Sequence, residues 1–192
     1  FITVDNPPVN ALSIGVRKGI VDCLAKGAAD ADAKALVLIC AGRTFIAGAD
    51  ITEFNKPLED PDLNAVIAAL EDCPKPVVAA IHGTALGGGL ETALGCHYRC
   101  AVPSAQVGLP EVKLGIIPGA GGTQRLPRIV GPEQALQMVT SGAHVDAKTS
   151  HAAGLLDEIV PEGELRAGAL AYAKKVIAEK RPLRKVREMN EK

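Results

Sequence analysis

A buried strand that runs directly into a glycine-rich helix start constrains the fold of this chain most strongly. The segment PVVAAIH (76–82) is short and apolar, and GTALGGG (83–89) and GLETALGC (89–96) follow it. A strand, a glycine loop and a helix in this order are typical of layered α/β proteins with a mainly parallel sheet. The sequence therefore predicts an α/β fold in which this loop joins a core strand to a helix.

The rest of the chain alternates in the same way. The opening residues FITV have the pattern of a strand, and Ser13 is suited to be the N-cap of the first helix. Further strands are predicted over 35–41, 76–82 and 98–103, because these runs are short, apolar and bounded by turn residues. Helices are predicted over 13–26, 62–73, 88–96, 119–126, 132–141, 148–153 and 163–179.

The length of 192 residues suits one compact domain. We predict that this domain covers residues 1–180 and that residues 181–192 begin a linker or an edge helix. The last residues, AEKRPLRKVREMNEK (178–192), are charged, contain a proline and lack a clear apolar face, so we expect them outside the core. Because the first residue is Phe1, we expect the chain to be part of a longer protein.

Composition excludes several classes of function. The net charge is −1, with 21 basic and 22 acidic residues, which gives no electrostatic basis for binding nucleic acid or an anionic membrane. No apolar run reaches the roughly 18–20 residues that cross a bilayer. The 5 cysteines are an odd number, which favours reduced thiols. The segment CHYRC (96–100) lacks a second ligand pair at zinc spacing, so no metal site is predicted.

The glycine loop at 83–89 has two interpretations. It lacks the Lys-Ser/Thr end of a phosphate-binding loop, and the acidic residue of a dinucleotide fingerprint is missing. Unpaired N–H groups at a helix start suit a developing oxyanion, such as the enolate oxygen of a thioester. Close packing of a helix on a strand would also favour these glycines, and the loop alone leaves both interpretations open.

Two glutamates, Glu91 and Glu111, each adjoin a glycine-rich turn. Glu111 follows Pro110 in an apolar neighbourhood, where a raised pKa would suit general acid–base chemistry. Paired carboxylates can hold one water between them. Taken alone, these segments favour the plainer alternatives, which are a solvent-facing Glu111 and a surface turn at TFIAGADI (44–51). For His82, His97, Arg125 and Arg128 we expect structural roles.

Three segments together resemble the signature segments of the enoyl-CoA hydratase/isomerase, or crotonase, family. They are FIAGADI (45–51), ALGGGLE (85–91) and PEVKLGIIPGAGGTQRLPRIVG (110–131), in the same order and with the same separation of the two glutamates. The resemblance covers essentially the whole chain. It implies a crotonase-like spiral of ββα units, here without the usual C-terminal helices.

The resemblance also implies a site. An acyl-CoA thioester oxygen would accept hydrogen bonds from the N–H groups of Ala49 and Gly88, and Glu91 and Glu111 would be the acid–base pair. Both glutamates occur in hydratases, so hydration of trans-2-enoyl-CoA to 3-hydroxyacyl-CoA in fatty acid β-oxidation is favoured. The alternatives are a Δ3-Δ2-enoyl-CoA isomerase, another acyl-CoA enzyme of this fold, and a non-catalytic acyl-CoA-binding module.

Further substrate or CoA contacts are implied at backbone-rich positions of the same segments: Ala47, Asp50, Ile51, Gly87 and Gly119. Thr52 stands where many family members have lysine, so no lysine contact to the CoA phosphates is expected there. Coenzyme A is part of the substrate, and no metal or separate cofactor is implied for this chain. The resemblance is also compatible with a homo-oligomer.

A finer resemblance links ALGGGLETALGCHYRCA (85–101) and AEKRPLRKVRE (178–188) to bifunctional members of the family. In these proteins the hydratase/isomerase domain precedes an NAD-dependent 3-hydroxyacyl-CoA dehydrogenase. The resemblance therefore implies a covalently attached dehydrogenase domain that would bind NAD outside this chain. The implied compartment is the cytoplasm in a bacterium and the peroxisome or mitochondrion in a eukaryote.

Overall fold

The computed structural model describes residues 1–53, 57 and 59–190, in which strands and helices alternate as predicted. The strands are β1 (Ile2–Val4), β2 (Leu36–Cys40), β3 (Val77–Ile81), β4 (Thr84–Leu86), β5 (Tyr98–Ala101), β6 (Gln106–Gly108), β7 (Val145–Asp146) and β8 (Glu158–Ile159). The α-helices are α1 (Ile14–Ala29), α2 (Leu63–Glu71), α3 (Gly88–Gly95), α4 (Gly122–Val130), α5 (Pro132–Ser141), α6 (Ala147–Ala152) and α7 (Leu165–Ala178). Short 3-10 helices cover Ile51–Glu53, Pro110–Leu114 and Val186–Glu188.

The core is a five-stranded parallel sheet with the strand order β1-β2-β3-β5-β8. Every residue of β2, β3 and β5 is buried. This pattern is typical of parallel sheets that are covered on both faces, and it explains why these strands are continuous apolar runs. Helix α7 packs against β2 and β3, and α1 packs beside β1.

A second, smaller sheet has the order β4-β6-β7. Strands β3 and β5 are neighbours in the large sheet, whereas β4 and β6 are neighbours in the small one. Each repeat of the spiral therefore adds one strand to each sheet. In the first repeat β3 and β4 are followed by helix α3, and in the next β5 and β6 are followed by the 3-10 helix Pro110–Leu114. This arrangement confirms the spiral of ββα units that the family resemblance implied.

The helix starts follow from their capping residues. The Ser13 hydroxyl accepts a hydrogen bond from the Val16 N–H at 3.4 Å, and the Asp62 carboxylate accepts one from the Ala65 N–H at 2.7 Å. Such caps satisfy donors that a helix start leaves unpaired. Val66, Ile67 and Leu70 of α2 are buried, so this helix is held by packing as well as by its cap.

The boundaries predicted for α4 are wrong at both ends. The predicted helix covers 119–126, whereas α4 begins at Gly122 and ends at Val130. Residues 119–121 form a loop instead, with Gly121 in the left-handed region at φ 86°. The helix continues through Pro127, because Leu126 and Ile129 on its inner face are buried and stabilise the last turn.

The expectation that the charged C-terminal segment lies outside the core is also wrong. Val186 is fully buried at 0% exposure and belongs to the hydrophobic core. The Tyr98 hydroxyl donates to the carbonyl oxygen of Pro182, and the Arg184 guanidinium pairs with Asp157. Val186 and the partly buried Met189 anchor this segment on the core, and its charged neighbours find partners on the domain surface. The domain boundary at residue 180 stays a prediction.

Some findings concern only the part of the chain that the structure describes. There, no helix is long and apolar enough to cross a membrane, and no group of three or more His, Cys, Asp or Glu side chains could hold a metal ion. The cysteines are free thiols, and all except Cys23 are buried. Burial raises the pKa of Cys40 and Cys100 to about 12, so these thiols stay protonated.

Candidate active site

The predicted site residues meet in one pocket of about 440 Å³ beside the N-terminus of α3. Of the residues predicted from the sequence, those that line it are Ala47, Ala49, Ile51, Gly87, Gly88, Glu91, Glu111 and Gly119. Segment 45–49, the loop before α3, the 3-10 helix Pro110–Leu114 and the loop before α4 each form part of its wall. The spiral therefore brings together segments that are far apart in the chain.

Two residues with backbone amides that are free in the described part of the chain lie close together in the wall of this pocket. A Cβ added at Gly88 would lie only 3.6 Å from the backbone nitrogen of Ala49. Gly88 is the first residue of α3, where a helix N–H has no intrahelical acceptor. Within residues 1–53, 57 and 59–190, neither the Ala49 nor the Gly88 N–H donates a hydrogen bond. These two donors can therefore bind an oxygen atom of a ligand.

Gly87 shapes the loop between β4 and α3. Its φ of 52° lies in the left-handed region, and its N–H donates to the carbonyl oxygen of Gly108 at 2.9 Å. A Cβ at this position would lie 3.2 Å from Glu111 Oε1. Glycine is therefore favoured at position 87 for two reasons. Its positive φ suits a residue without a Cβ, and the Glu111 carboxylate occupies the space next to the position of a Cβ.

Glu91 is buried in the first turn of α3, with 2% of its surface exposed. Its Oε1 accepts hydrogen bonds from the backbone N–H groups of Ala120 at 2.9 Å and Gly122 at 2.8 Å. Burial raises the pKa of Glu91, and the two N–H donors and the charge of Arg125 oppose this rise. The carboxylate is therefore fixed in position at the wall of the pocket.

Glu111 has a different environment. It is half-buried in the 3-10 helix Pro110–Leu114, and its buried Oε2 has no hydrogen-bond partner among the described residues. Burial raises the pKa of Glu111, and the nearby charge of Glu91 raises it further. An unpartnered buried carboxyl oxygen beside a cavity is suited to exchange a proton with a bound molecule.

Exposed apolar side chains surround the pocket. Leu114, Ile116 and Ile117 follow Glu111, and Ile51 comes from another segment of the chain. Large apolar side chains seldom cluster in solvent unless they contact a ligand or another surface. An apolar chain of a bound ligand can therefore extend from the two glutamates along these exposed apolar side chains.

One predicted contact residue lies apart from the others. Asp50 does not line the pocket, and its carboxylate accepts hydrogen bonds from the N–H and the hydroxyl of Thr52. Its role in substrate binding stays a prediction. His97 has the structural role expected of it, because it is buried, with Nδ1 accepting from Val77 N–H and Nε2 facing the Glu71 carbonyl oxygen.

Sequence reasoning missed Glu71 and several pocket residues. Glu71 is fully buried and forms a two-pronged ion pair with Arg125, with distances of 3.0 and 2.7 Å. Its position four residues after Ile67, on the apolar face of α2, is a signal that a buried carboxylate needs a cation. The pocket residues that were missed are Gly48, Asp62, Leu63, Asn64, Pro110, Leu114, Ile116, Ile117 and Ala120.

The fold and the pocket define an α/β protein with a double N–H donor site and paired carboxylates. The family model described as enoyl-CoA hydratase/isomerase matches residues 1–191. The chain therefore belongs to the enoyl-CoA hydratase/isomerase family.

Individual relatives are similar over most of this chain. The peroxisomal bifunctional enzyme of Danio rerio is 47% identical over 177 residues, which are 92% of this chain and 24% of that protein. A Bacillus subtilis (strain 168) protein named "Probable enoyl-CoA hydratase" is 45% identical over 94% of this chain and 73% of its own length. The crystal structure of enoyl-CoA hydratase from Bacillus anthracis matches with a TM-score of 0.83 and 34% identity, over 92% of this chain and 72% of that one. This chain spans about a quarter of the length of the bifunctional relatives.

Proposed function

We propose that this chain hydrates trans-2-enoyl-CoA to 3-hydroxyacyl-CoA in fatty acid β-oxidation. The observation that carries the proposal is one pocket lined by two glutamates and by two amides that have no acceptor among the described residues. Membership of the enoyl-CoA hydratase/isomerase family supports the same reaction class.

The amides would bind the thioester carbonyl oxygen. As water adds to the double bond, negative charge develops on this oxygen, and hydrogen bonds from Ala49 and Gly88 become stronger. An interaction that is stronger in the transition state than in the ground state lowers the barrier. The partial positive charge at the start of α3 adds to the effect. Loss of one such donor typically costs about 3–4 kcal/mol.

The two glutamates would divide the proton transfers. Glu91 accepts two backbone N–H bonds, which favour its ionised form and suit a base that takes a proton from water. Glu111 has an unpartnered buried oxygen, which favours its protonated form and suits an acid.

The step balances with these roles. The water oxygen bonds to C3 and gives its proton to Glu91, while the C2=C3 electron pair moves to form the enolate. C2 then takes the proton of Glu111. A proton passing from Glu91 to Glu111 restores both groups for the next turnover.

Substitution of each glutamate tests the proposal. Glu91→Gln and Glu111→Gln should each lower the rate of crotonyl-CoA hydration by about 10²–10⁴. The exposed Glu133 on α5 provides the control, since Glu133→Gln should leave the rate unchanged. If either site variant hydrates at the wild-type rate, the assignment of that residue is wrong.

A parallel assay with 3-enoyl-CoA separates the isomerase alternative. If a single carboxylate moves the proton in isomerisation, Glu91→Gln would keep that activity and Glu111→Gln would lose it. Calorimetric binding of CoA esters without turnover of either substrate would instead favour a binding module.

The parent protein and its compartment are part of the proposal. The relatives' names describe bifunctional or multifunctional proteins of peroxisomes and glyoxysomes, and a bacterial relative is also present. These names support a larger parent for this chain, with an attached NAD-dependent dehydrogenase as the expected second part. If the source is a eukaryote, these names favour the peroxisome over the mitochondrion as the proposed location. The residues that follow Lys192 in the parent would test the dehydrogenase.

A further inference from the structure

A buried ion pair lies directly behind the loop that holds Glu91. The Glu71 carboxylate, at the end of α2, is fully buried. Arg125 of α4 donates to both of its oxygens, from Nε at 3.0 Å and from Nη2 at 2.7 Å. This fork-to-fork geometry fixes the orientation of the guanidinium as well as its distance.

The third nitrogen of the same guanidinium contacts the loop Ala120–Gly122, whose N–H groups bind Glu91. Arg125 Nη1 donates to the carbonyl oxygen of Ala120 at 3.2 Å, and a Cβ added at Gly121 would lie 2.3 Å from this nitrogen. The loop Ala120–Gly122 therefore wraps closely around the arginine. The N–H groups at both ends of this loop are the donors that hold Glu91 Oε1.

The C-terminal segment completes the arrangement. The backbone N–H of Arg187 donates to Glu71 Oε1 at 3.2 Å, and its guanidinium lies 3.5 Å from Oε2. The same side chain pairs with Asp72, and the adjacent Val186 is buried against the core. The 3-10 helix Val186–Glu188 also contacts α4. Arg125 is thus held from behind by Glu71 and by the 3-10 helix Val186–Glu188, whose residues do not line the pocket.

We propose that Arg125, oriented by Glu71 and by the C-terminal segment 184–188, is a positioning residue that fixes the Ala120 and Gly122 amides on Glu91. The expected effects on kcat and KM rest on the proposed function, whereas the positioning of Glu91 by Arg125 does not. Arg125 does not line the pocket, so its substitution should change kcat more than KM. Its positive charge also opposes the rise in the pKa of Glu91, so removal of the charge should shift the pH profile.

Three variants and one control test this role. Arg125→Met removes the fork and the charge, and Arg125→Lys keeps only the charge. Arg125→Met removes two hydrogen bonds from the fully buried Glu71 carboxylate and leaves it with the contacts of Arg187, so the protein is expected to lose stability. The double variant Glu71→Leu/Arg125→Met therefore replaces both side chains with apolar groups. Arg128→Met is the matched control, since Arg128 lies on the same helix and, among the described residues, donates only to the Gln124 carbonyl oxygen. The measurements are thermal unfolding, kcat and KM with crotonyl-CoA, and their pH dependence.

The expected results distinguish a positioning role of Arg125 from a purely stabilising role. Arg125→Met and the double variant should lose about 10–100-fold in kcat, the effect of a misplaced catalytic group, with KM nearly unchanged. The acid limb of the pH profile should move to higher pH in both. Arg125→Lys should lower kcat but keep the limb near its wild-type position. The control should match the wild type in every measurement.

Two results would overturn the proposal. One is a double variant with wild-type stability and wild-type kcat. The other is an unchanged acid limb in Arg125→Met together with a KM effect alone. If the wild-type protein hydrates nothing, the proposed function fails by itself. Positioning is then decided by NMR titration of the Glu91 carboxyl carbon, whose pKa must rise in Arg125→Met but not in Arg128→Met.

Discussion

The two glutamates of the pocket lie in contrasting parts of the molecule. Glu91 is in a helix whose residues are all buried, and backbone amides from another loop hold its carboxylate. Glu111 is in a short 3-10 helix with no buried residue, next to exposed apolar side chains, and its Oε2 has no described partner. One carboxylate is buried with its helix, whereas the other lies on the exposed, apolar side of the pocket.

This difference shows how one pocket can supply two kinds of carboxyl group. Hydrogen bonds to a carboxylate favour its ionised form, and burial without such bonds favours its protonated form. Burial raises the pKa of both Glu91 and Glu111, but only Glu91 has N–H donors from a separate loop that oppose the rise. Stability and reactivity are therefore expected to respond differently to changes in the two regions.

The largest effect is expected where α3 approaches segment 45–49. A Cβ at Gly89 would lie 2.0 Å from the carbonyl oxygen of Ile46, and this backbone cannot move without displacing the Ala49 amide. Gly89→Ala should therefore destabilise the protein by about 4 kcal/mol or more, or prevent folding. The control is Gly119→Ala on the Glu111 side, where an added Cβ meets nothing within 4 Å. Urea unfolding measures both, and equal midpoints would contradict the close-packing argument.

Truncation of the glutamates themselves sharpens the comparison. Glu91→Ala leaves the buried N–H groups of Ala120 and Gly122 without their acceptor, and it should cost about 1–3 kcal/mol of unfolding free energy. Glu111→Ala removes a buried oxygen that has no described partner, so stability should stay constant or rise by about 1 kcal/mol. Chemical denaturation at pH 7 measures the difference. A larger loss for Glu111→Ala than for Glu91→Ala would show that the contrast is wrong.

Much of this arrangement follows from the sequence. The strand-loop-helix order predicts the α/β fold, and the glycine-rich turns beside Glu91 and Glu111 predict where the pocket lies. The short strands β4 and β6 were not predicted, because a run of three residues carries too little periodicity. The ion pair of Glu71 with Arg125 joins residues 54 positions apart, and only the fold brings them together. The burial of Val186 depends on contacts with residues far away in the chain, such as those of α4, and no local pattern encodes them.

The pH dependence of stability is expected to be a smaller effect with a definite sign. The folded-state pKa of Glu111 lies above its ordinary value of 4.5. At a pH between these two pKa values, the folded protein therefore binds more protons than the unfolded chain. The free energy of unfolding should then fall as pH rises from about 4.5 through the folded-state pKa, and it should level off above it. Glu111→Gln should reduce this fall, as measured by denaturation at pH 5 and pH 8. A steeper fall in the variant would contradict the sign.

The smallest effect on stability is expected at the exposed rim of the pocket. Ile117 is 74% exposed, so Ile117→Ser should change the free energy of unfolding by no more than about 0.5 kcal/mol. If the rim binds the acyl chain, the same substitution removes apolar contact that substrate and transition state share. KM should then rise by about tenfold or less, with kcat unchanged. A fall in kcat with an unchanged KM would instead connect Ile117 to the placement of Glu111, and the rim would belong to the catalytic region rather than to the binding surface.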